Sequence, residues 1–249
     1  SRRVGDFETP EQYAQVLRAT TDAVRAADSQ ATVVLGSLYH LHAGQGRRYL
    51  EELLEIEGVE EDFDVLGVHC YFEENELSVV DRTLAHAHEL LPGKPVWITE
   101  TSVPSSADSD WVDPQWQADM VVAIHGAFLA GGAERVFWHT LTDPPPRARR
   151  KRGTSTHSLY EVRDEGGIRH LKPAGAVYER LLRTLESVDR VGLSALHTES
   201  GRALDTSGGR LVYWGVVEVQ SGISVHTLAD GEVAVTGLVV AAPAWIPRL

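Results

Sequence analysis

A single cysteine, Cys70, and a single methionine, Met120, are among the scarcest residues in this 249-residue chain. One thiol cannot close an intrachain disulfide, so the fold must rest on a packed core; this fits a reducing compartment without requiring one. No apolar run approaches the roughly 20 residues that a membrane helix needs. The opening residues SRRVGDFETPEQ hold no hydrophobic segment of the kind that begins a secretory signal. Ser1 stands where an initiator methionine would, so the natural start is expected upstream, and localisation stays open. Basic residues are also short, with 23 Lys and Arg against 36 Asp and Glu and a net charge of −13. Such a field repels nucleic acid and anionic membranes, and suits a polar, neutral substrate such as a sugar. The one basic run, RARRKR at 147–152, lacks interleaved aromatics and reads as a solvated loop. His40, His42 and His69 do not follow any zinc-type spacing, so neither metal nor cofactor is expected.

What is present is an ordinary globular balance, 43% hydrophobic and 24% charged. The length allows one large domain, or a domain plus a small appendage. The most informative stretch is Lys94–Thr101, KPVWITET. A short run of β-branched and aromatic residues between a turn (Pro92, Gly93) and a loop (Pro104 to Ser106) predicts a buried strand. Glu100 closes that run. A carboxylate is costly in apolar surroundings, and the C-terminal ends of parallel strands are where chemistry is placed. Glu100 is therefore the first candidate for catalysis, against the plainer alternative of a structural partner for an arginine.

The rest of the chain alternates. Thr9, Pro10 and Glu11 supply a capping hydroxyl, a first-turn proline and an acid at the positive end of the dipole, predicting a helix to about Ala27. There follow a strand at Ala31–Gly36, a helix at Arg47–Glu57, a strand at Phe63–Tyr71 and a helix at Ser78–Leu91. A strand at Pro95–Glu100, a helix at Pro114–Leu129, a strand at Glu134–His139, a long polar loop over 140–157 and a helix at Pro173–Leu185 complete the series. Strict alternation with long loops after the strands predicts repeated βα units on a parallel sheet. Four such units are half of what an eight-unit barrel of roughly 250 residues contains.

From Val188 the texture changes to short strand-like runs: Leu193–His197, Arg210–Gln220, Ile223–Leu228 and Glu232–Leu238. The turns Gly208-Gly209, Ser221-Gly222 and Asp230-Gly231 between them predict a small antiparallel β-subdomain. The expected organisation is thus residues 1–187 as a partial barrel and 188–249 as a small β-sandwich-like appendage.

Taken together, TPEQYAQVLRATTDAVRAAD, ATVVLGS, FDVLGVHCY, KPVWITET, RVFWHTLTD and KPAGAVYERL, in that order, resemble the C-terminal half of a clan A retaining glycoside hydrolase. These are (β/α)8 enzymes, and the nearest look is to family 39 β-glycosidases. The resemblance covers Thr9 to about Leu185 and implies an α/β fold with the equivalents of barrel strands 5–8. It implies Glu100 as the catalytic nucleophile, with His69, Tyr71 and Trp138 as substrate-binding residues. Tyr71 would hydrogen-bond the nucleophile, and Trp138 would offer a sugar platform. His69 and Trp138 also admit purely structural readings, as a satisfied strand-end histidine and a core aromatic. In the family the acid/base glutamate follows an asparagine just before the helix that starts here at Pro10, and SRRVGDFE contains no such pair. The expectation is a fragment that is inactive alone and that self-associates or pairs with an absent N-terminal half. The alternative is a non-catalytic carbohydrate-binding or assembly module derived from such a barrel.

Overall fold

The computed structural model describes residues 9–39, 41–71, 78–105, 114–142, 157–162, 169–185, 190–193, 211–214 and 233–235, the last three stretches as backbone. They fall into two compact units. The first comprises residues 1–70, 78–101 and 132–137; the second comprises 71–77, 102–131 and 138–249.

In the first unit, α1 runs from Pro10 to Ala27, as the cap and proline dictate: the Thr9 hydroxyl accepts from the Gln12 N–H, and Asp28 closes the helix on the Val24 carbonyl. Its buried face, Ala14, Leu17 and Thr21, lies beside a polar clasp. The Thr21 hydroxyl donates to the Asp62 carbonyl at 2.6 Å, and Arg18 Nε donates to the Asp62 carboxylate at 3.0 Å. That clasp anchors the short 3-10 turn Val59–Asp62, which follows α2 (Gly44–Leu54) and leads into the second strand. The predicted helix Arg47–Glu57 is shifted toward its N-terminus because Gly58 takes φ +78° and forces a turn there.

Four strands form the sheet in the order β1 (Val34–Tyr39), β2 (Val65–His69), β3 (Val96–Thr101) and β4 (Arg135–Trp138), with β1–β2 and β2–β3 parallel. Helix α3 (Ser78–Leu90) links β2 to β3. The strand predicted at Ala31–Gly36 starts later, at Val34. The Val33 N–H is capped by the Asp64 carboxylate at 2.7 Å, and pairing with β2 carries the strand on to Tyr39. Leu35, Leu66, Val68 and Ile98 are fully buried. Each contributes about 1.5–3 kcal/mol of hydrophobic stabilisation.

The second unit is built on α4 (Pro114–Ala130), whose buried residues lie all around its axis from Gln117 to Phe128. A helix apolar on every side must be covered on every side; α5 (Pro173–Leu185) and a later strand both pack on it. Two short antiparallel strands, β5 (Tyr160–Val162) and β6 (Arg169–Leu171), precede α5 and were not expected from the sequence. Gly175 in α5 is required by close approach, since a β-carbon there would sit 2.6 Å from the Leu159 carbonyl oxygen.

The C-terminal strands correct one expectation. Where an antiparallel arrangement was predicted, β7 (Arg190–Leu193), β8 (Leu211–Trp214) and β9 (Val233–Val235) pair in parallel. The physical reason lies in chain length: residues 194–210 and 215–232 are long enough for a return crossing, so tight-turn arguments do not govern these pairs. The run Ile223–Leu228, the boundary at 187–188 and the basic run at 147–152 lie outside the described residues.

Candidate active site

Glu100 sits near the C-terminal end of β3, as expected, and β2 brings His69 beside it. The two are register partners, and His69 Nδ1 lies 3.4 Å from a Glu100 carboxylate oxygen. Both side chains keep roughly a third of their surface, 28% for His69 and 34% for Glu100. The Cys70 N–H donates to the Glu100 carbonyl at 2.9 Å, so backbone pairing continues past the pair.

This pairing depends on a slip in register. Val68 pairs with Ile98, but the next residue of β2, His69, pairs with Glu100, leaving Thr99 as an extra residue. Side chains alternate along a strand. In plain alternation, with Thr99 taking a ladder position of its own, Glu100 would share a face with Val96 and Ile98, which are 1% and 0% exposed. The bulge turns it to the His69 side. A matching irregularity lies across β2, between Leu35 and Leu38 of β1. Leu35 and Leu38 are both buried although three residues apart, as an inserted residue requires.

The remaining sequence candidates belong to the second unit. The Tyr71 ring stands edge-on to His139 and to His157, each at 6.0 Å between centroids. Trp138 is 9% exposed, and its indole N–H donates to the His157 carbonyl at 2.8 Å. His125 stacks on the Trp138 ring at 6.0 Å, and its Nδ1–H donates to the Val121 carbonyl. Burial pushes the His125 imidazole down to a pKa of about 4, so it is neutral at ordinary pH. His157 Nδ1 meets the fully buried Ser102 hydroxyl at 2.7 Å. His157, Ser102 and His125 were not singled out in the sequence. No local pattern marks a pair like Ser102 and His157, which are 55 residues apart.

Cys70 is a small buried core residue, its thiol 3.7 Å from the Thr83 hydroxyl and pushed up to a pKa of about 11 by burial. Among the described residues no group of three His, Cys, Asp or Glu side chains is arranged to hold a metal ion, and His40 lies outside them.

A parallel α/β sheet that presents a carboxylate at the C-terminal end of a strand is the architecture of the TIM-barrel enzymes. The glycosyl hydrolase catalytic core family matches residues 8–143, more than half of the chain, and the chain belongs to that family. No curated protein matches it in sequence. Among solved structures, the catalytic core of xylanase A is 15% identical, with a TM-score of 0.50 over 68% of this chain and 54% of that one. A family 39 β-xylosidase from Caulobacter crescentus is 19% identical, with a TM-score of 0.48 over 69% of this chain and 37% of that one. Xylanase 10B from Thermotoga petrophila is 17% identical, with a TM-score of 0.49 over 68% of this chain and 52% of that one. At 15% identity the likeness to the xylanase A core is one of fold: the four-stranded sheet corresponds to part of a TIM barrel. The chain spans between about a third and about half of the length of these structures.

Proposed function

We propose that this chain carries the nucleophile of a retaining glycoside hydrolase acting on the O-glycosidic bonds of an oligosaccharide or polysaccharide, and that Glu100 is that nucleophile. The observation that carries the reading is the Glu100–His69 pair at adjacent strand ends, with a bulge turning the carboxylate away from the apolar side of the sheet.

The chemistry follows from the carboxylate. A Glu100 oxygen attacks the anomeric carbon, the bond to the leaving oxygen breaks, and a glycosyl ester forms; water then cleaves the ester and restores the carboxylate. His69 at 3.4 Å limits the rotation of the carboxylate. Retention also needs a second carboxyl group about 5–5.5 Å away as acid/base; that role is assigned to no residue of this chain. His69, Tyr71 and Trp138 are proposed to bind the sugar. One face of the Trp138 ring is taken by His125, so only the other can meet a sugar. The acidic balance of the chain suits a neutral carbohydrate.

The test uses an aryl 2-deoxy-2-fluoroglycoside with an activated leaving group, which departs without protonation and leaves a slowly hydrolysed ester. Gluco- and xylo-configured probes are incubated with the intact protein, and the peptides are weighed. The expected result is one added glycosyl unit on the peptide holding Lys94–Thr101, at Glu100, and none in Glu100→Gln. A label on a different carboxylate would overturn the assignment. Sugar binding without any label would favour the non-catalytic reading.

A further inference from the structure

We infer that Ser37 and Thr99 are positioning residues for Glu100, acting through a hydroxyl strap that they close over Gly67; the inference rests on the reading of Glu100 as nucleophile. Three strands contribute to this strap. Thr99 is the extra residue of β3, and Ser37 lies in the irregular stretch of β1 on the opposite side of β2. Bulges are rare in parallel sheets. Here two of them flank one central strand, and their residues meet: Ser37 Oγ lies 2.5 Å from Thr99 Oγ1. The Thr99 hydroxyl also donates to the Val68 carbonyl at 3.2 Å. A hydroxyl has one proton to give, so Ser37 is the donor to Thr99.

The strap has to cross β2, and the residue beneath it is Gly67. A β-carbon at Gly67 would lie 3.1 Å from Ser37 Oγ and 2.6 Å from the Leu35 carbonyl oxygen. A side chain there would lift the strap off the strand. The other end is equally provided for, because the Gly36 N–H donates to the Tyr13 hydroxyl at 2.7 Å. The plainer account is a satisfied polar pair that fills space between strands. Against it stands the placement: the residue the strap holds is the one whose exclusion from the ladder decides on which face Glu100 emerges. Release of the Thr99 hydroxyl frees the bulge to slide, and a slide of one residue carries Glu100 toward the side of Val96 and Ile98.

The deciding comparison is Thr99→Val, which keeps the shape and loses the hydroxyl, against Thr99→Ser, which keeps the hydroxyl. Two readouts are taken on the intact protein: the rate at which the activated 2-fluoroglycoside labels Glu100, and the 15N signals of the His69 ring. Thr99→Val is expected to slow labelling by about 100-fold, the loss that a displacement near 1 Å brings, and to shift the His69 signals. Thr99→Ser is expected to restore both. Labelling of Thr99→Val at the wild-type rate, with only a lower melting temperature, would make the strap a packing feature and overturn the inference. If the wild-type protein takes no label, the reading of Glu100 fails and the His69 signals decide alone. A shift in Thr99→Val that Thr99→Ser reverses then upholds the strap, and unchanged signals overturn it. Gly67→Ala should reproduce Thr99→Val where it folds.

Discussion

Two clusters of polar side chains carry most of the functional signal, and they are built on opposite principles. The Glu100–His69 pair is open: the partners are 3.4 Å apart, and each keeps about a third of its surface accessible. The cluster around His157 is closed. Its ring nitrogen meets a fully buried hydroxyl at 2.7 Å, its carbonyl accepts from Trp138 at 2.8 Å, and the Tyr71 ring stands edge-on to it. A group that must attack needs room to approach carbon. A group that must hold others still needs every bond made. Accessibility and slack, more than the number of hydrogen bonds, therefore separate the candidate for chemistry from a structural cluster.

The strongest way to break this contrast is Glu100→Gln. If the open pair carries the chemistry, turnover by the intact protein should fall by 10³-fold or more, a barrier rise of roughly 4 kcal/mol or more. Near-normal steady-state hydrolysis would remove the distinction between the two clusters. Next comes Trp138→Ala in the closed cluster. Loss of the buried indole should cost about 3–5 kcal/mol in denaturant unfolding, and KM should rise with kcat falling less if the ring also binds the sugar. An unchanged KM with the same loss of stability would make Trp138 core alone.

A subtler effect is expected of His125. Its folded pKa of about 4 is below the ordinary 6.5, so the folded state disfavours the proton and the unfolded chain takes it up first as pH falls. Its contribution is complete above pH 6.5 and is lost progressively from there toward pH 4, on the order of 3 kcal/mol in all. Unfolding curves of His125→Phe should lack that part of the pH dependence; an identical dependence in both proteins would show that other groups cause it. The smallest effect concerns Cys70, whose buried thiol is pushed up to a pKa of about 11. Alkylation by iodoacetamide at pH 8 should be slow and should accelerate on unfolding. Rapid reaction in the native protein would show that the core beside Thr83 opens readily.

The helices were legible because their ends are written locally. Thr9 with Pro10, and Pro173 at the start of α5, mark positions that any tertiary context respects. The position of Glu100 near the end of a strand was legible because an acid after Val96–Ile98 conflicts with a buried run. The bulge was not, since ITET reads as plain alternation and only pairing with β2 reveals the extra residue. His157 was read as part of a polar loop, because its partners Ser102 and Trp138 are distant in sequence and each is unremarkable alone. The parallel pairing of β7, β8 and β9 was hidden for a related reason: glycine turns signal where a chain bends, and strand direction is set by what the intervening residues do.

The inserted residue in β3 also bears on how such a protein can change. The ladder already steps from Ile98 to Glu100, so a single-codon deletion at Thr99 would give plain alternation and leave Glu100 opposite His69, on its present face. The bulge thus works as a length buffer: it absorbs one residue without inverting the side chains that follow, as the same residue taken into the ladder would. A lineage could gain or lose that codon and keep the carboxylate where it is, losing only the hydroxyl that meets Ser37 and the Val68 carbonyl.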